Sequence, residues 1–542
     1  MKKIRHSLSV PTLVLGVALA TLAVTPLMAQ DWPMFGQNAS NTASNTGVSI
    51  STSNINTLKT KWVVTTGGEV SARPAIVGNG VYFPDWAGNL YAVYANTGQV
   101  KWVHQFSDYG LAPGTVARSA PAVVGRTLYI GTQYNYAAAP GATGWMLAIN
   151  TDTGNLIWKT QPDSNSSPVI TASPVVDGET VYVGMTSDEE ALAGYVPGYP
   201  CCSVRGSVVA LDTRTGAKLW QTYMAPVGYS GANIWGSNPV ADDSRNTLYV
   251  STGDNYSHPT ANAPSAIAGE TFSQCLADPH GGSEAACLAS NDYVDSIVAL
   301  NMSTGAVKWS ARMVNWNQPY EPTNGSDDWN VSCITAPYTN CPSSPTGPDY
   351  DFGSAPNEIT YKTAHGSKTI IGAGQKSGIY YALDPDTGAL LWQTQVGPGS
   401  SLGGMEWGSA SDGQRIYVAI SDFYGIPWAG GYAGGWVALD PATGNILWTT
   451  PDPNGAVDLG PLAVANGIVY APSMAGGATQ TNMYALNAAN GNIVWSYASG
   501  GSVIAGAALV DTDVYWGSGY THLPIPGFTT NNKLYNFSLN GR

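Results

Sequence analysis

The sequence predicts an all-β protein in which eight four-stranded blades close into a ring, an eight-bladed β-propeller. Three observations carry that prediction. Only 11% of the 542 residues are charged, against roughly 25% in an average soluble domain, while Gly (63), Tyr (30) and Trp (18) are abundant. A segment of the form apolar-x-Ala-Leu-Asp-x-x-Thr-Gly-x-x-x-Trp recurs along the chain. The two ends of the chain carry complementary halves of one further copy. So few charges exclude coiled coils and helical bundles, whose exposed faces are rich in Glu, Lys and Arg. The aromatic content excludes disorder. A net charge of −14 speaks against nucleic acid as a partner, because phosphate binding needs clustered Lys and Arg.

The N-terminus comes first. Met1-Lys2-Lys3-Ile4-Arg5-His6 is basic, residues 13–24 are apolar apart from Thr21, and Ala29 supplies a small residue before Gln30. This three-part pattern predicts a secretory signal over residues 1–29. The run is short for a membrane span. Residues 30–542 are then expected to form one propeller domain, periplasmic or secreted, with no membrane span after cleavage.

Complete repeats run from Tyr91 to Trp102, Leu147 to Trp158, Val209 to Trp220, Val298 to Trp309, Tyr381 to Trp392, Val437 to Trp448 and Tyr484 to Trp495. In each, alternating apolar residues predict a strand, Asp/Asn-x-x-Thr-Gly a turn, and the Trp segment a second strand. Upstream lies another strand pair, such as Pro121-Ala122-Val123-Val124-Gly125 followed by Leu128-Tyr129-Ile130-Gly131, which completes a four-stranded blade. Successive tryptophans are 56, 62, 89, 83, 56 and 47 residues apart, so the two long intervals hold insertions, where function tends to sit. The C-terminal Leu534-Tyr535-Asn536-Phe537-Ser538-Leu539-Asn540-Gly541 stops before its Trp strand, and Leu58-Lys59-Thr60-Lys61-Trp62-Val63-Val64 supplies one. Pairing the two closes the ring with an eighth blade and removes the free sheet edges. The alternative is a seven-bladed ring with unrelated ends.

The six cysteines fit an oxidising compartment. Spacing favours Cys275–Cys287 and Cys333–Cys341, each closing a short loop. Cys201 and Cys202 are adjacent, and either bond to each other or reach different partners. No Cys-x-x-Cys accompanies them, which argues against zinc, and no Cys-x-x-Cys-His provides for covalent haem.

The Ala-x-Asp-x-x-Thr-Gly-x-x-x-Trp repeat resembles the tryptophan-docking repeat of quinoprotein alcohol dehydrogenases. These hold pyrroloquinoline quinone (PQQ) on the axis of an eight-bladed propeller. The resemblance extends from Asp31-Trp32-Pro33 to the C-terminus and is strongest to the polyvinyl alcohol branch, where a vicinal cysteine pair leads into a blade strand as in Cys201-Cys202-Ser203-Val204-Arg205-Gly206. It implies a Cys201–Cys202 disulfide over one face of the quinone and Trp235, outside the repeat's Trp position, stacked on the other. It places Asp254, after Thr252-Gly253, and Glu189, with Glu190 as the alternative, among the metal ligands. Their hard oxygens suit Ca²⁺.

Asp349-Tyr350-Asp351 resembles the family's catalytic Asp-x-Asp entry, with Asp349 as base and Asp351 as the alternative. The second acid is similar to that of relatives using a lanthanide, and does not decide the metal. Lys376, in Gly374-Gln375-Lys376-Ser377-Gly378, fills the position of the basic residue that contacts the quinone oxygens, and Arg118 and Thr171 match contacts to its carboxylates. The implied reaction is oxidation of an alcohol, secondary and possibly polymeric, with electrons passed to a separate cytochrome c or other acceptor. Quinoprotein action on sugars or small primary alcohols is the alternative of the same class, and a non-catalytic scaffold propeller the alternative of another.

Overall fold

The repeat's tryptophans explain the ring. In the computed structural model the described residues are 1, 31–134, 143–165, 167–189, 192, 196, 199, 201–236, 238–257, 259–278, 284–313, 349–423, 425–426, 428, 433–523 and 525–542. The expected signal over residues 1–29, apart from Met1, and also Glu190, Cys333 and Cys341, lie outside them. Each blade is an antiparallel meander, the first consisting of Ala75–Val77, Gly80–Pro84, Asn89–Tyr94 and Val100–Gln105. Six more follow in order, and the second of these, the third blade of the ring, is extended by an added strand, Pro168–Val169. The eighth is composite: Ala508–Val510, Asp513–Ser518 and Lys533–Leu539 are completed on the outside by the N-terminal strand Leu58–Thr65. The eight-bladed ring closed by both ends is therefore present, and its short first strands face the axis, where Ala75–Val77 touches Ala122–Val124 on one side and Ala508–Val510 on the other.

One device repeats at the blade junctions. In each Thr-Gly turn the glycine has positive φ, as at Gly388 (71°), a region that favours glycine. A Cβ there would also lie 2.5 Å from the ring of the preceding blade's Trp309. The glycine therefore leaves the seat into which that indole fits, and Trp309 Nε1 donates to Pro385 O at 3.1 Å. The same bond joins Trp62 to Ala95 O and Trp102 to Thr151 O, both at 2.9 Å. Within its own blade each repeat tryptophan lies opposite the small residue of the motif, Ala92 across from Trp102 and Ala382 across from Trp392, beside a bulge in the ladder.

The third strands differ from the expected alternation. Ser207–Asp212 and Gly434–Leu439 are buried on both faces, because each blade is covered on one side by its predecessor and on the other by its successor. The outermost strands, such as Leu390–Gln395, return to mixed exposure. The 89-residue interval holds two short helices, Phe272–Ala277 and Glu284–Cys287, joined by the expected Cys275–Cys287 disulfide. No helix among the described residues is long and apolar enough to cross a membrane.

Candidate active site

In a four-stranded meander the connection entering the first strand and the connection between the second and third strands emerge at the same end. The predicted site residues occupy these two positions. Arg118, Thr171, Trp235, Asp349 and Asp351 precede the first strands of the second to fifth blades. Glu189, Asp254 and Lys376 follow second strands. Topology alone therefore brings segments that are far apart in sequence to one end of the axis.

At that end Asp254, Asp349 and Asp351 are buried, and one carboxylate oxygen from each lies within 4.8 Å of the others. Lys376 Nζ is 2.5 Å from Asp349 Oδ1 and 3.5 Å from Asp351 Oδ2, so an ammonium faces the acids within the same buried centre. Asp351 has further partners: Asp254 N donates to its Oδ1 at 2.5 Å, and Trp235 Nε1 to its Oδ2 at 2.6 Å. Two glycines keep the space clear. A Cβ on Gly253 would meet the Asp351 carboxylate at 2.7 Å, and one on Gly353 would meet Trp235 Cη2 at 2.8 Å.

Trp235 is fixed on several sides. Thr171 Oγ1 donates to its carbonyl, Trp407 packs edge to face at 5.3 Å, and Lys376 Nζ stands 5.1 Å from its ring centre. Arg118 lies over Trp407 at 4.8 Å and Trp235 at 5.9 Å. A cavity beside these residues is lined in part by Arg118, Thr171, Gly236 and Trp407, and also by Arg73 and Tyr520.

Cys201 and Cys202 are disulfide-bonded to each other through a cis peptide. The segment after them is gripped by Glu189, whose carboxylate accepts from Ser203 N at 2.9 Å, Ser203 Oγ at 2.9 Å and Val204 N at 2.7 Å. Backbone bonds then lace this segment to the acids: Gly231 N to Val204 O, Ala232 N to Asp254 O, and Lys376 N to Asp351 O. The structure thus gathers Asp254, Asp349, Asp351 and Lys376 into one centre with Trp235, and places Glu189 against the loop that carries the disulfide.

Two further acids belong to this neighbourhood and were given no role by sequence reasoning. Burial pushes Asp295 up to about 7, although a hydrogen bond with Asp254 opposes the rise. Burial likewise raises Glu406 to about 7, against the pull of the Lys376 and Arg118 charges. Glu406 stands in Glu406-Trp407-Gly408, a segment that resembles an axial segment of the polyvinyl alcohol branch without giving the acid a role, whereas Asp295 could have been found only through scarcity: in a chain with 36 acids, one set just before a blade strand is unusual.

The donor set suits the groups that the resemblance implies. Three clustered carboxylates offer hard oxygens to a di- or trivalent cation, and a cation and an indole flank the same space.

Comparison with known proteins bears on the family and the fold. The PQQ_2 family, described as outer membrane protein assembly factor BamB, matches residues 38–194, 204–327 and 375–520. A polyvinylalcohol dehydrogenase of Sphingopyxis sp. (strain 113P3) is 27% identical over 535 residues, covering 90% of this chain and 73% of the relative. A polyvinylalcohol dehydrogenase of Pseudomonas sp. is 29% identical over 494 residues, covering 86% and 67%. Among solved structures, a quinohemoprotein alcohol dehydrogenase of Pseudomonas putida HK5 shares the fold with a TM-score of 0.68 at 17% identity, covering 95% of this chain and 81% of that one. A europium-containing methanol dehydrogenase does so with a TM-score of 0.65 at 16% identity, covering 94% and 98%.

Proposed function

The chain belongs to the PQQ_2 family, and from that membership, its relatives and its acid–lysine centre we propose that it is an exported PQQ-dependent alcohol dehydrogenase resembling the polyvinyl alcohol enzymes. The observation that carries the reading is the buried group of Asp254, Asp349 and Asp351 with Lys376 2.5 Å from Asp349. A scaffold propeller has no use for charges that are costly to bury.

Asp254, Asp349 and Asp351 would hold the cation, with Glu189 as a further ligand, while Lys376, Arg118, Thr171, Trp235 and the Cys201–Cys202 pair would hold the quinone. When bound, PQQ supplies an acceptor for the hydride of the alcohol carbon and the metal, Ca²⁺ or a lanthanide, supplies Lewis acidity. Asp349 takes the hydroxyl proton. Its Oδ1 is hydrogen-bonded to Lys376, which offsets the carboxylate charge and fixes its orientation. Asp351 orients rather than reacts, because Asp254 N holds one of its oxygens and Trp235 Nε1 the other. Lys376 also faces the ring of Trp235, where a cation stabilises negative charge developing on a group stacked there. A secondary alcohol leaves as a ketone, and the electrons pass to a separate cytochrome c or other acceptor. Residues 1–29 act as the export signal for a periplasmic or secreted domain of residues 30–542.

Reconstituting the metal-free apoprotein with PQQ and either Ca²⁺ or a lanthanide tests the reading, with dye reduction followed on polyvinyl alcohol, small secondary alcohols, primary alcohols and sugars. Turnover that is fastest on polymeric or secondary alcohols is expected. Absence of dye reduction with every metal and substrate would exclude the dehydrogenase reading.

A further inference from the structure

A second group of buried acids stands on a connection that carries none of the residues of the acid–lysine centre. Asp452 follows the sixth blade's last strand, Ile446–Pro451, and Asp458 stands ahead of the seventh blade's first strand, Ala463–Ala465. Ser473 directly follows the seventh blade's second strand, Ile468–Pro472. Both connections emerge at the same end of the ring, and Ser473 lies against both carboxylates. Asp452 is 0% and Asp458 1% exposed, so water does not reach either acid from outside.

The group is short of donors. Asp452 Oδ1 accepts from Asn454 N at 2.6 Å and from Ala456 N at 3.3 Å. Asp452 Oδ2 and both carboxylate oxygens of Asp458 are buried and accept no well-formed hydrogen bond. Ser473 has one hydroxyl hydrogen to give, so it completes at most one of these three oxygens. Its own oxygen accepts from Ala475 N at 3.1 Å. Among the described residues no Lys, Arg or His pairs with either acid, and the one charge that bears on Asp458 is that of Asp452. Burial, with that neighbouring acid, pushes Asp458 well above the ordinary carboxyl range. Buried carboxylates without a counter-ion are costly, so a proton or a metal ion must answer them. A proton would cancel one of the two charges and leave the other buried. A divalent cation cancels both and uses all three oxygens.

The loop that presents these oxygens is held by its own backbone. Asp452 N donates to Gly434 O and Gly455 N to Asp452 O, both at 3.0 Å, and Met474 N donates to Val457 O at 3.2 Å. A Cβ on Gly434 would lie 2.8 Å from Asp458 N, so the loop packs flat on that glycine. We infer that Asp452, Asp458 and Ser473 Oγ bind a hard divalent cation, Ca²⁺ by the chemistry of its oxygen donors, at a site separate from the acid–lysine centre. The entry to the seventh blade that this ion fixes continues through Leu459, a member of the apolar cluster against which Trp407 packs. It then reaches Pro461 and Leu462, whose carbonyls accept from Arg73 Nη2 at 3.1 and 2.8 Å. The ion thereby steadies one wall of the cavity that Arg73, Trp407 and Pro461 line.

Ca²⁺ itself is the probe, added to the full cofactor-free chain carrying Asp254→Asn and Asp351→Asn so that the acid–lysine centre is disabled. Equilibrium dialysis should find one Ca²⁺ retained per chain, and the melting temperature should keep rising with the logarithm of calcium concentration above the Kd. Adding Asp458→Asn should abolish both effects. Without calcium that variant should melt no lower than its parent, because the amide relieves the repulsion between the two acids, and this shows that lost binding is not lost folding. A parent chain that retains no calcium would overturn the proposal and leave a shared proton between the acids. Calcium retained unchanged with Asp458→Asn in place would overturn it as well, by moving the ion elsewhere. Neither measurement involves quinone or alcohol, so the dehydrogenase reading stands or falls separately.

Discussion

Asp349 sits in the left-handed region, with φ of 58°, which Asp tolerates better than most residues. Lys376 holds the carboxylate that this backbone presents to the cluster. Replacing it by Asn keeps the shape and removes the proton acceptor, so Asp349→Asn should lower kcat by roughly 10²–10⁴-fold with the quinone still bound, as read from its absorbance. The same substitution at Asp351 should disturb the Trp235 and Asp254 contacts and loosen cofactor binding. Glu406 allows a second prediction, about pH. Its folded pKa is raised by burial to about 7, so between the ordinary carboxyl value and 7 the folded chain binds more protons than the unfolded one. Stability from this group is full at acid pH and is lost as the pH rises towards 7. The cofactor-free Glu406→Gln protein should therefore melt higher than wild type at pH 8, with a gain on the order of 2–3 kcal/mol, and match it near pH 4, below the ordinary carboxyl value. Equal melting at both values would show that Glu406 ionises normally. Asp254, Asp349, Asp351 and Lys376 were legible because each lies in a short local motif. Asp295 was not, and Glu406 was legible only as part of an axial segment without a role, because what perturbs these acids comes from other blades and no local spacing encodes it.

At the scale of the element, the repeat was legible for the reason that makes it stable: every copy has to build the same seat. Gly388 has positive φ, and its missing Cβ leaves room for Trp309. Gly78 also has positive φ, 56°, but no neighbour lies within 4 Å of its built Cβ. Gly78→Ala should therefore carry only the backbone cost, about 1 kcal/mol. Gly388→Ala carries that cost and also unseats an indole, so its melting temperature should fall clearly further. A calorimetric scan of the two variants side by side decides the point, and equal shifts would remove the seat from the explanation. The third strands were less legible. Their alternation predicted a strand but not its surroundings, and stacking between two neighbouring blades buries both faces, as in Gly434–Leu439. Periodicity within one strand carries no information about what covers it.

For the whole molecule, closure depends on one pairing, Leu58–Thr65 against Lys533–Leu539, with Val63 opposite Tyr535 and Leu58 opposite Leu539. Removing residues 533–542 should expose the edge of Asp513–Ser518 and strand the N-terminal strand. The truncated chain should lose cooperative melting and become protease-sensitive, readable by limited proteolysis against the full chain. A truncated protein that melts like the full one would show that seven blades hold without the eighth. The two ends could be read as halves of one blade because each kept its part of the repeat. The indole seats also have a direction. Trp62 reaches forward to Ala95, Trp102 to Thr151 and Trp309 to Pro385, each blade fastening to the one that follows it. A ring whose fastenings all run the same way round is chiral in its mechanics. Severed at any one seat, it can relax like a split lock washer, each blade keeping its grip on the next while the gap opens along the axis, so that first damage would show as a loosened mouth around the acids rather than as separated halves.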